Sequence, residues 1–238
     1  MKKVIIIGAT SGIGKALAIQ MSAAGYMVGI TGKRQILLNE IESLNPDKIF
    51  SSCFNVNDET ELIGNLKDLT ERLGGYDILI YSAGFGEINE NLDNLIEQDT
   101  IKTNVRSFTN VITWTFEYFK QQGHGQIAAI TSVAGLRGND KAPAYSASKA
   151  YQINYLEGLS KKAGKLKIPL YILDIRPGYV DTAMAKGDNL FWVTPVKKAA
   201  KQIINGIEKR KKVIYVSKRW RLFAWILKII PRYLCEKI

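Results

Sequence analysis

Lys3-Val4-Ile5-Ile6-Ile7-Gly8-Ala9-Thr10-Ser11-Gly12-Ile13-Gly14 decides how the rest of the chain is read. Lys3–Ile7 shows no polar alternation, the pattern of a strand covered on both faces. Glycines follow, then a helical stretch to Ala24. The glycines are spaced Gly-x-x-x-Gly-x-Gly, not the commoner Gly-x-Gly-x-x-Gly. Glycine lets a backbone approach a pyrophosphate closely, and the first N–H groups of a helix attract its charge. A tight strand-to-helix connection would use glycine too. The position after the first strand favours a phosphate cradle of Gly8, Thr10, Ser11, Gly12, Ile13 and Gly14.

Working outward, strand signals recur at Met27–Thr31, Lys48–Phe54, Asp77–Tyr81, Gln126–Thr131, Ile168–Ile175 and Val213–Val216. Between them lie helical patterns at Ile36–Leu44, Asp58–Leu73, Leu92–Gln122, Ala144–Ala163 and Val196–Lys209. Asp58 reads as the cap of its helix, and the long Leu92–Gln122 stretch as broken near Thr103. Strands separated by helices imply an α/β, Rossmann-like, doubly wound parallel sheet of about seven strands with helices on both faces. The expectation is one domain over residues 1–216 and a basic amphipathic extension at 217–238. Ligands of such folds sit at the carboxyl ends of the strands, near the reversal of strand order.

A length of 238 residues suits one large domain. An apolar fraction of 46% and a charged fraction of 23% exclude disordered, collagen-like and coiled-coil classes. Cys53 and Cys235 lie far apart, which suits a reducing compartment better than a disulfide framework. The single histidine, His124, lies between two glycines and reads as a turn residue. A His-rich metal site is thereby excluded, no metal is expected, and a Ser-His-Asp hydrolase would depend on that one side chain. No apolar run is long enough to span a bilayer. The formal net charge of +11 is unevenly placed: residues 1–196 carry 20 basic and 20 acidic side chains, and the last 42 carry 13 basic side chains against Glu208 and Glu236.

Dinucleotide binders specific for NAD place an acid after the second strand, for the ribose 2′-hydroxyl. Here Thr31-Gly32 leads into Lys33 and Arg34, whose charges suit a 2′-phosphate, so NADP(H) is the expected cofactor. Tyr145 and Lys149 stand at i and i+4 and share one helix face. A neighbouring ammonium favours phenolate and is expected to lower the tyrosine pKa, making Tyr145 a general acid for a carbonyl oxygen. Ser132 follows the preceding strand at the ligand-binding rim, where its hydroxyl can hold the same oxygen.

Gly8-x-x-x-Gly12-Ile13-Gly14, Asn104, Ser132, Tyr145-x-x-x-Lys149 and Pro177-Gly178-Tyr179-Val180-Asp181-Thr182 occur in one order, with 13 positions from Ser132 to Tyr145. In these motifs the chain resembles the single-domain short-chain dehydrogenase/reductase family, from about Lys2 to Val216. The resemblance implies hydride transfer between a nicotinamide cofactor and a carbonyl/alcohol pair. It makes Tyr145 the acid/base and Lys149 the group that lowers its pKa and holds the nicotinamide ribose. Ser132 would orient the substrate oxygen, and Asn104 would position a water in a proton relay to Lys149. Pro177, Gly178, Val180 and Thr182 would lie along the nicotinamide. The helix bearing Trp114, Phe116, Tyr118 and Phe119, with the helix near Tyr145, would form core or subunit packing in a homodimer or homotetramer.

The chain departs from the family pattern in a few places. Ile7 stands where a threonine often precedes the first glycine, and the chain is slightly short. Tyr81-Ser82-Ala83-Gly84 replaces Asn-Asn-Ala-Gly, removing an amide that ties neighbouring strands while keeping Ala83 and Gly84 at the cofactor. Asn55, followed by Val56, replaces an aspartate at the adenine; an amide both donates and accepts. None of these changes touches Asn104, Ser132, Tyr145 or Lys149. Cys53 reads as core, and Asp174 and Arg176 as a pair without a catalytic role.

Residues 183–192, including Met184, Leu190, Phe191 and Trp192, read either as a lid for a hydrophobic substrate or as a loop anchored to the body. In the tail, Trp220, Phe223, Ile226, Leu227, Ile229 and Ile230 would form an apolar helical face, with Arg221 and Lys228 opposite, flanked by Lys218 and Trp225. Three settings suit it: a membrane interface, a partner subunit or the enzyme's own cleft. No nucleic-acid motif accompanies the charge, and no such partner is expected. The resulting expectation is an NADPH-dependent reductase of a hydrophobic ketone or aldehyde, cytoplasmic, with the inner face of a membrane as a docking place. The alternatives are a 3-oxoacyl reductase fed by an acidic carrier protein and a non-catalytic NADP-binding scaffold or redox sensor.

Overall fold

The computed structural model describes residues 1–185 and 190–231, without the side chain of Lys228. Seven strands form one sheet: β1 (Lys3–Ile7), β2 (Met27–Gly32), β3 (Ile49–Cys53), β4 (Ile78–Tyr81), β5 (Gly125–Ile130), β6 (Leu170–Pro177) and β7 (Val213–Val216). Their order is β3-β2-β1-β4-β5-β6-β7, and every pairing is parallel. The order reverses at β1, between β2 and β4, so the carboxyl ends of β1 and β4 flank the crevice where ligands of this architecture bind.

Alternation along β1 feeds two cores. Val4 and Ile6 join Leu17, Met21, Ile175 and Ile203 on one face of the sheet. Ile5 and Ile7 join Leu66, Leu79, Phe108 and Ile127 on the other. Helices α1 (Gly12–Ala23), α2 (Gln35–Glu42) and α7 (Val196–Glu208) contribute to the first core, and α3 (Leu62–Leu73), α5 (Phe108–Gln122) and α6 (Pro143–Lys165) to the second. Helix α4 (Asn94–Ile101) is capped by Asp93, whose carboxylate accepts from Leu95 N.

Local details differ from the sequence expectations. Helix α3 starts at Leu62, not Asp58, because the Asp58 carboxylate is used in a turn, accepting from Thr60 N and Oγ1 at 3.1 and 2.6 Å. The break near Thr103 is a π-helical turn, Lys102–Ser107, between α4 and α5. Cys53 is exposed rather than core, since β3 is the edge strand and Cys53 its last residue. Asp174 and Arg176 do pair, Nε to Oδ2 at 2.6 Å.

The tail forms helix α8 (Lys218–Ile229), packed on the body of its own chain. Its apolar residues do not share one face as expected. Trp220 and Ala224 are buried, whereas Leu222, Trp225, Ile226 and Ile229 are exposed. Gly178 explains the inward turn of Trp220: a Cβ there would overlap the indole, so the missing side chain is the socket. Tyr179, Phe191, Trp192 and Phe223 surround the indole with ring centroids 5.2–5.9 Å away. Arg137 fixes the far end, donating to the carbonyls of Leu227 at 2.8 Å and Ile230 at 2.7 Å. The lid stretch at Lys186–Asn189 and the tail residues Cys235 and Glu236 lie outside the described residues, as does the side chain of Lys228.

Candidate active site

The turn after β1 is built by close backbone approach. Gly8 has φ +85°, and a Cβ on it would lie 2.6 Å from Ala83 N, on the turn after β4. A Cβ on Gly14 would overlap the Gly8 carbonyl oxygen. Both positions therefore exclude any other residue. Gly8 N and Ala9 N donate to the Thr31 carbonyl at 3.1 and 2.8 Å, seating the turn on the end of β2. Ser11, at the N-cap of α1, makes no side-chain cap bond, and the first turn of α1 carries no acid. Its N–H groups stay available to an anion.

Arg34 lies over this turn. Its Nη2 donates to Thr10 Oγ1 at 2.7 Å and to Ser11 Oγ at 3.0 Å, and Lys33 is exposed beside it. Asn55 is exposed just past β3, its Oδ1 accepting from Asn57 N at 3.1 Å, and Val56 is buried. Thr182 closes the other side: its Cγ2 lies 3.2 Å from where a Gly12 Cβ would stand. Val180 is buried below it. A glycine floor, free helix N–H groups and a guanidinium at the rim fit a dinucleotide with a charged ribose.

Deeper in the crevice, Gly84, Asn104 and Lys149 converge. A Cβ on Gly84 would be 3.6 Å from Asn104 Oδ1 and 3.7 Å from Lys149 Nζ. Asn104 sits on the π-helical turn, fully buried, and clamps the loop after β4. Its Oδ1 accepts from Phe85 N at 2.9 Å, and its Nδ2 donates to Phe85 O at 2.7 Å and Ser148 Oγ at 3.0 Å. Ser132 caps the 3₁₀ turn Val133–Leu136, its Oγ accepting from Ala134 N at 3.1 Å. Tyr145 lies on the first turns of α6, its ring against Gly86 so closely that a Cβ there would overlap it.

Lys149 is buried one turn further along α6. Its Nζ donates to the Ile130 carbonyl at 3.1 Å and to Gln152 Oε1 at 3.0 Å. Gln152 Nε2 in turn donates to the Asn104 carbonyl at 2.8 Å. Gln152 thus joins Lys149 to the Asn104 carbonyl, because it follows Lys149 by three positions on the same helix face.

Burial dominates the electrostatics. It pulls the Lys149 ammonium down to about 8, with the Asp174 carboxylate working the other way. Asp174 is itself buried, accepting from Thr131 Oγ1 and Arg176 Nε, each at 2.6 Å. Burial also raises Tyr145 above its ordinary value, with a hydrogen bond to Ser132 opposing. The net direction is therefore upward, against the lowering expected from Lys149 alone. The Lys149 Nζ stands 5.7 Å from the Tyr145 ring centroid, and its short contacts are Ile130 and Gln152. Desolvation of the phenol therefore wins.

Gln152, Tyr81 and Arg137 are contributors that the sequence reading missed. Tyr81 Oη donates to the Thr103 carbonyl at 3.0 Å, tying the end of β4 to the π-helical turn. A polar residue at the buried i+3 position from Lys149 was the available signal for Gln152. Among the described residues no group of His, Cys, Asp and Glu is placed to hold a metal ion.

A seven-stranded, doubly wound sheet with a glycine turn at its switch point defines a dinucleotide-binding protein. The family model "short chain dehydrogenase" matches residues 2–190, and the chain belongs to that family. It is 32% identical over 190 residues to an uncharacterized oxidoreductase of Staphylococcus epidermidis, covering 78% of this chain and 81% of that one. It is 29% identical over 193 residues to a 3-oxoacyl-[acyl-carrier-protein] reductase of Staphylococcus aureus, covering 77% and 76%. A short-chain dehydrogenase from Streptomyces avermitilis superposes with a TM-score of 0.83 at 22% identity, over 95% of this chain and 91% of that one. ElxO, solved with NADP bound, superposes with a TM-score of 0.78 at 19% identity, over 90% and 96%. The protein is an oxidoreductase of this family.

Proposed function

We propose that the protein is an NADPH-dependent reductase of a hydrophobic ketone or aldehyde. The observation that carries this reading is the convergence of Asn104, Lys149 and Gly84 beneath Tyr145, joined to a nucleotide turn with Arg34 on its rim. The cofactor, when bound, supplies a hydride to the carbonyl carbon. Tyr145 donates its phenolic proton to the carbonyl oxygen, which Ser132 holds by a hydrogen bond. The Lys149 ammonium stabilises the tyrosinate left behind. Asn104 keeps the loop after β4 in place and so shapes the floor of the site. Gly8, Thr10, Ser11, Gly12, Ile13 and Gly14 hold the pyrophosphate, Lys33 and Arg34 the 2′-phosphate, and Asn55 and Val56 the adenine. Ala83, Gly84, Pro177, Gly178, Val180 and Thr182 line the nicotinamide half.

NADP in the solved relative ElxO supports the choice of cofactor. The half-exposed Met184, Phe191 and Trp192 on the segment that follows Thr182 support an apolar substrate. The working form is a homodimer or homotetramer, supported by the part-exposed ring stack of Trp114 and Tyr118 on α5. Residues 1–216 form the catalytic unit and 217–238 an extension. The reading places the enzyme in the cytoplasm, with that extension at the inner face of a membrane.

A second reading, reduction of carrier-bound 3-oxoacyl thioesters, is favoured by the 29% identical Staphylococcus aureus relative. Steady-state turnover with NADPH on free medium- and long-chain ketones and aldehydes, against the same chains as 3-oxoacyl thioesters on a carrier protein, separates the two. A kcat/KM at least tenfold higher on the free carbonyls supports the first reading; the reverse supports the second.

A further inference from the structure

We propose that the outward stripe of α8 docks the enzyme on an anionic bilayer surface and brings the active-site rim to the lipid. This inference rests on the reading of a hydrophobic substrate. Leu222, Trp225, Ile226 and Ile229 follow one another at i, i+3, i+4 and i+7, the spacing of a single helical stripe, and all four are exposed. The helix is held to the body by its opposite side, through Trp220 and Ala224, so the stripe is not the packing face.

Lys218, Arg219 and Arg221 are exposed on the first turn of the same helix. Lys198, Lys211 and Lys212 line the groove that α8 borders, where the carboxylates are Glu157 and Asp174. Asp174 is neutralised by Arg176. Apolar residues flanked by long basic ones suit a helix lying in a headgroup layer, with the cations reaching anionic lipid. No described helix is long and apolar enough to cross a membrane.

Helix α8 also packs on segments that carry site residues. Trp220 of α8 seats on Gly178, and Arg137, which pins the end of α8, follows the turn that starts at Ser132. Phe191 and Trp192, on the segment after Thr182, touch α8 through Phe223 and Trp220. A carbonyl compound dissolved in the bilayer would meet the site at this edge.

The test is flotation of the full-length protein with vesicles of phosphatidylcholine alone and of phosphatidylcholine with phosphatidylserine, for wild type and for Leu222→Glu/Trp225→Glu. Both substituted side chains point away from the body, and turnover on a water-soluble carbonyl checks that the variant is folded and active. The expected result is flotation of wild type on the phosphatidylserine vesicles, weaker at high salt, with partitioning about tenfold or more lower in the variant. Equal flotation of variant and wild type overturns the proposal. So does absence of flotation by wild type, whether it stays free or self-associates through the stripe into a species that the variant abolishes. Turnover lost in both proteins would count against the proposed activity, not against the docking.

A separate observation carries a second inference. The geometry points to Gln152 as a positioning residue that fixes the Lys149 ammonium and ties it to the Asn104 carbonyl. Gln152 is fully buried and uses both ends of its amide for these two bonds. Its oxygen accepts from the ammonium and so favours the charged form. The charged and titratable groups around Lys149 are Asp174 on β6 and Tyr145 on α6.

The pH profile of kcat/KM for Gln152→Leu and Gln152→Asn tests the assignment, with thermal unfolding as a control for folding. The Leu variant should lose activity at a lower pH than wild type, the alkaline limb moving down by about one unit. The Asn variant, which keeps a shorter amide, should fall between the two. Unchanged limbs in both folded variants overturn the assignment, whatever happens to stability.

Discussion

Lys149 Nζ lies 5.7 Å from the centre of the Tyr145 ring and spends its short contacts on the Ile130 carbonyl and Gln152. Burial acts on the two groups named by the Tyr-x-x-x-Lys motif in opposite directions. Burial takes Lys149 down to about 8 and Tyr145 up. The proposed reduction needs both protonated. The account predicts that kcat/KM falls as pH rises through about 8, following Lys149, while the phenol still holds its proton. A pH–rate profile checks this; activity constant to pH 10 contradicts it.

The same depressed value has a consequence for stability, with the opposite sense. The folded-state pKa lies below the ordinary 10.5, so the unfolded chain binds more protons between about 8 and 10.5. The contribution of Lys149 is thus unfavourable below about 8 and is relieved as pH rises through that window. Urea midpoints of Lys149→Met against wild type should converge between pH 7 and pH 10.

Arg34 bridges Thr10 and Ser11 at the rim of the nucleotide turn. Removing it with Arg34→Ala should raise KM for NADPH by about 10–100-fold, the worth of a charge-assisted hydrogen bond, and leave KM for NADH within about threefold. Equal losses with both cofactors would contradict a 2′-phosphate contact.

Trp220 fills the socket at Gly178 and is ringed by four aromatic side chains. Trp220→Ala should cost about 3 kcal/mol of stability and free α8 from the body. Urea denaturation and tryptic cleavage near Lys218 and Arg219 measure the two effects.

Tyr81→Phe removes the bond to the Thr103 carbonyl and leaves that buried oxygen without its donor. The expected cost is about 1–3 kcal/mol, read by chemical denaturation, with a lower kcat because the neighbouring Asn104 loses support.

Much of this was legible in the chain itself. Unbroken apolar runs such as Val4–Ile7 announce strands buried on both faces, and the glycines after them mark the switch point because only glycine fits there. Tyr145 and Lys149 are readable as a pair because i and i+4 share a helix face, and Ser132 as a rim residue because it follows a strand. What stayed hidden depends on three-dimensional company. Asp58 had the residue type of a cap but used its carboxylate in a turn. Cys53 lay in an apolar run, yet β3 is an edge strand. The tail's hydropathy could not say which apolar side chains turn inward, because that is set by a glycine 42 positions earlier, Gly178 beneath Trp220. The Tyr145 shift went against expectation because spacing alone does not report how deeply a phenol is desolvated.

In the proposed reaction Tyr145 delivers a proton while NADPH is consumed. The most direct test follows NADPH oxidation by wild type and by Tyr145→Phe on a series of hydrophobic ketones and aldehydes, with NADPH binding measured in parallel by fluorescence. The account predicts turnover by wild type, a loss of about 10²–10⁴-fold in the variant, and unchanged NADPH affinity. Equal turnover in the two proteins, or tight NADPH binding with no turnover by wild type on any carbonyl, would contradict it.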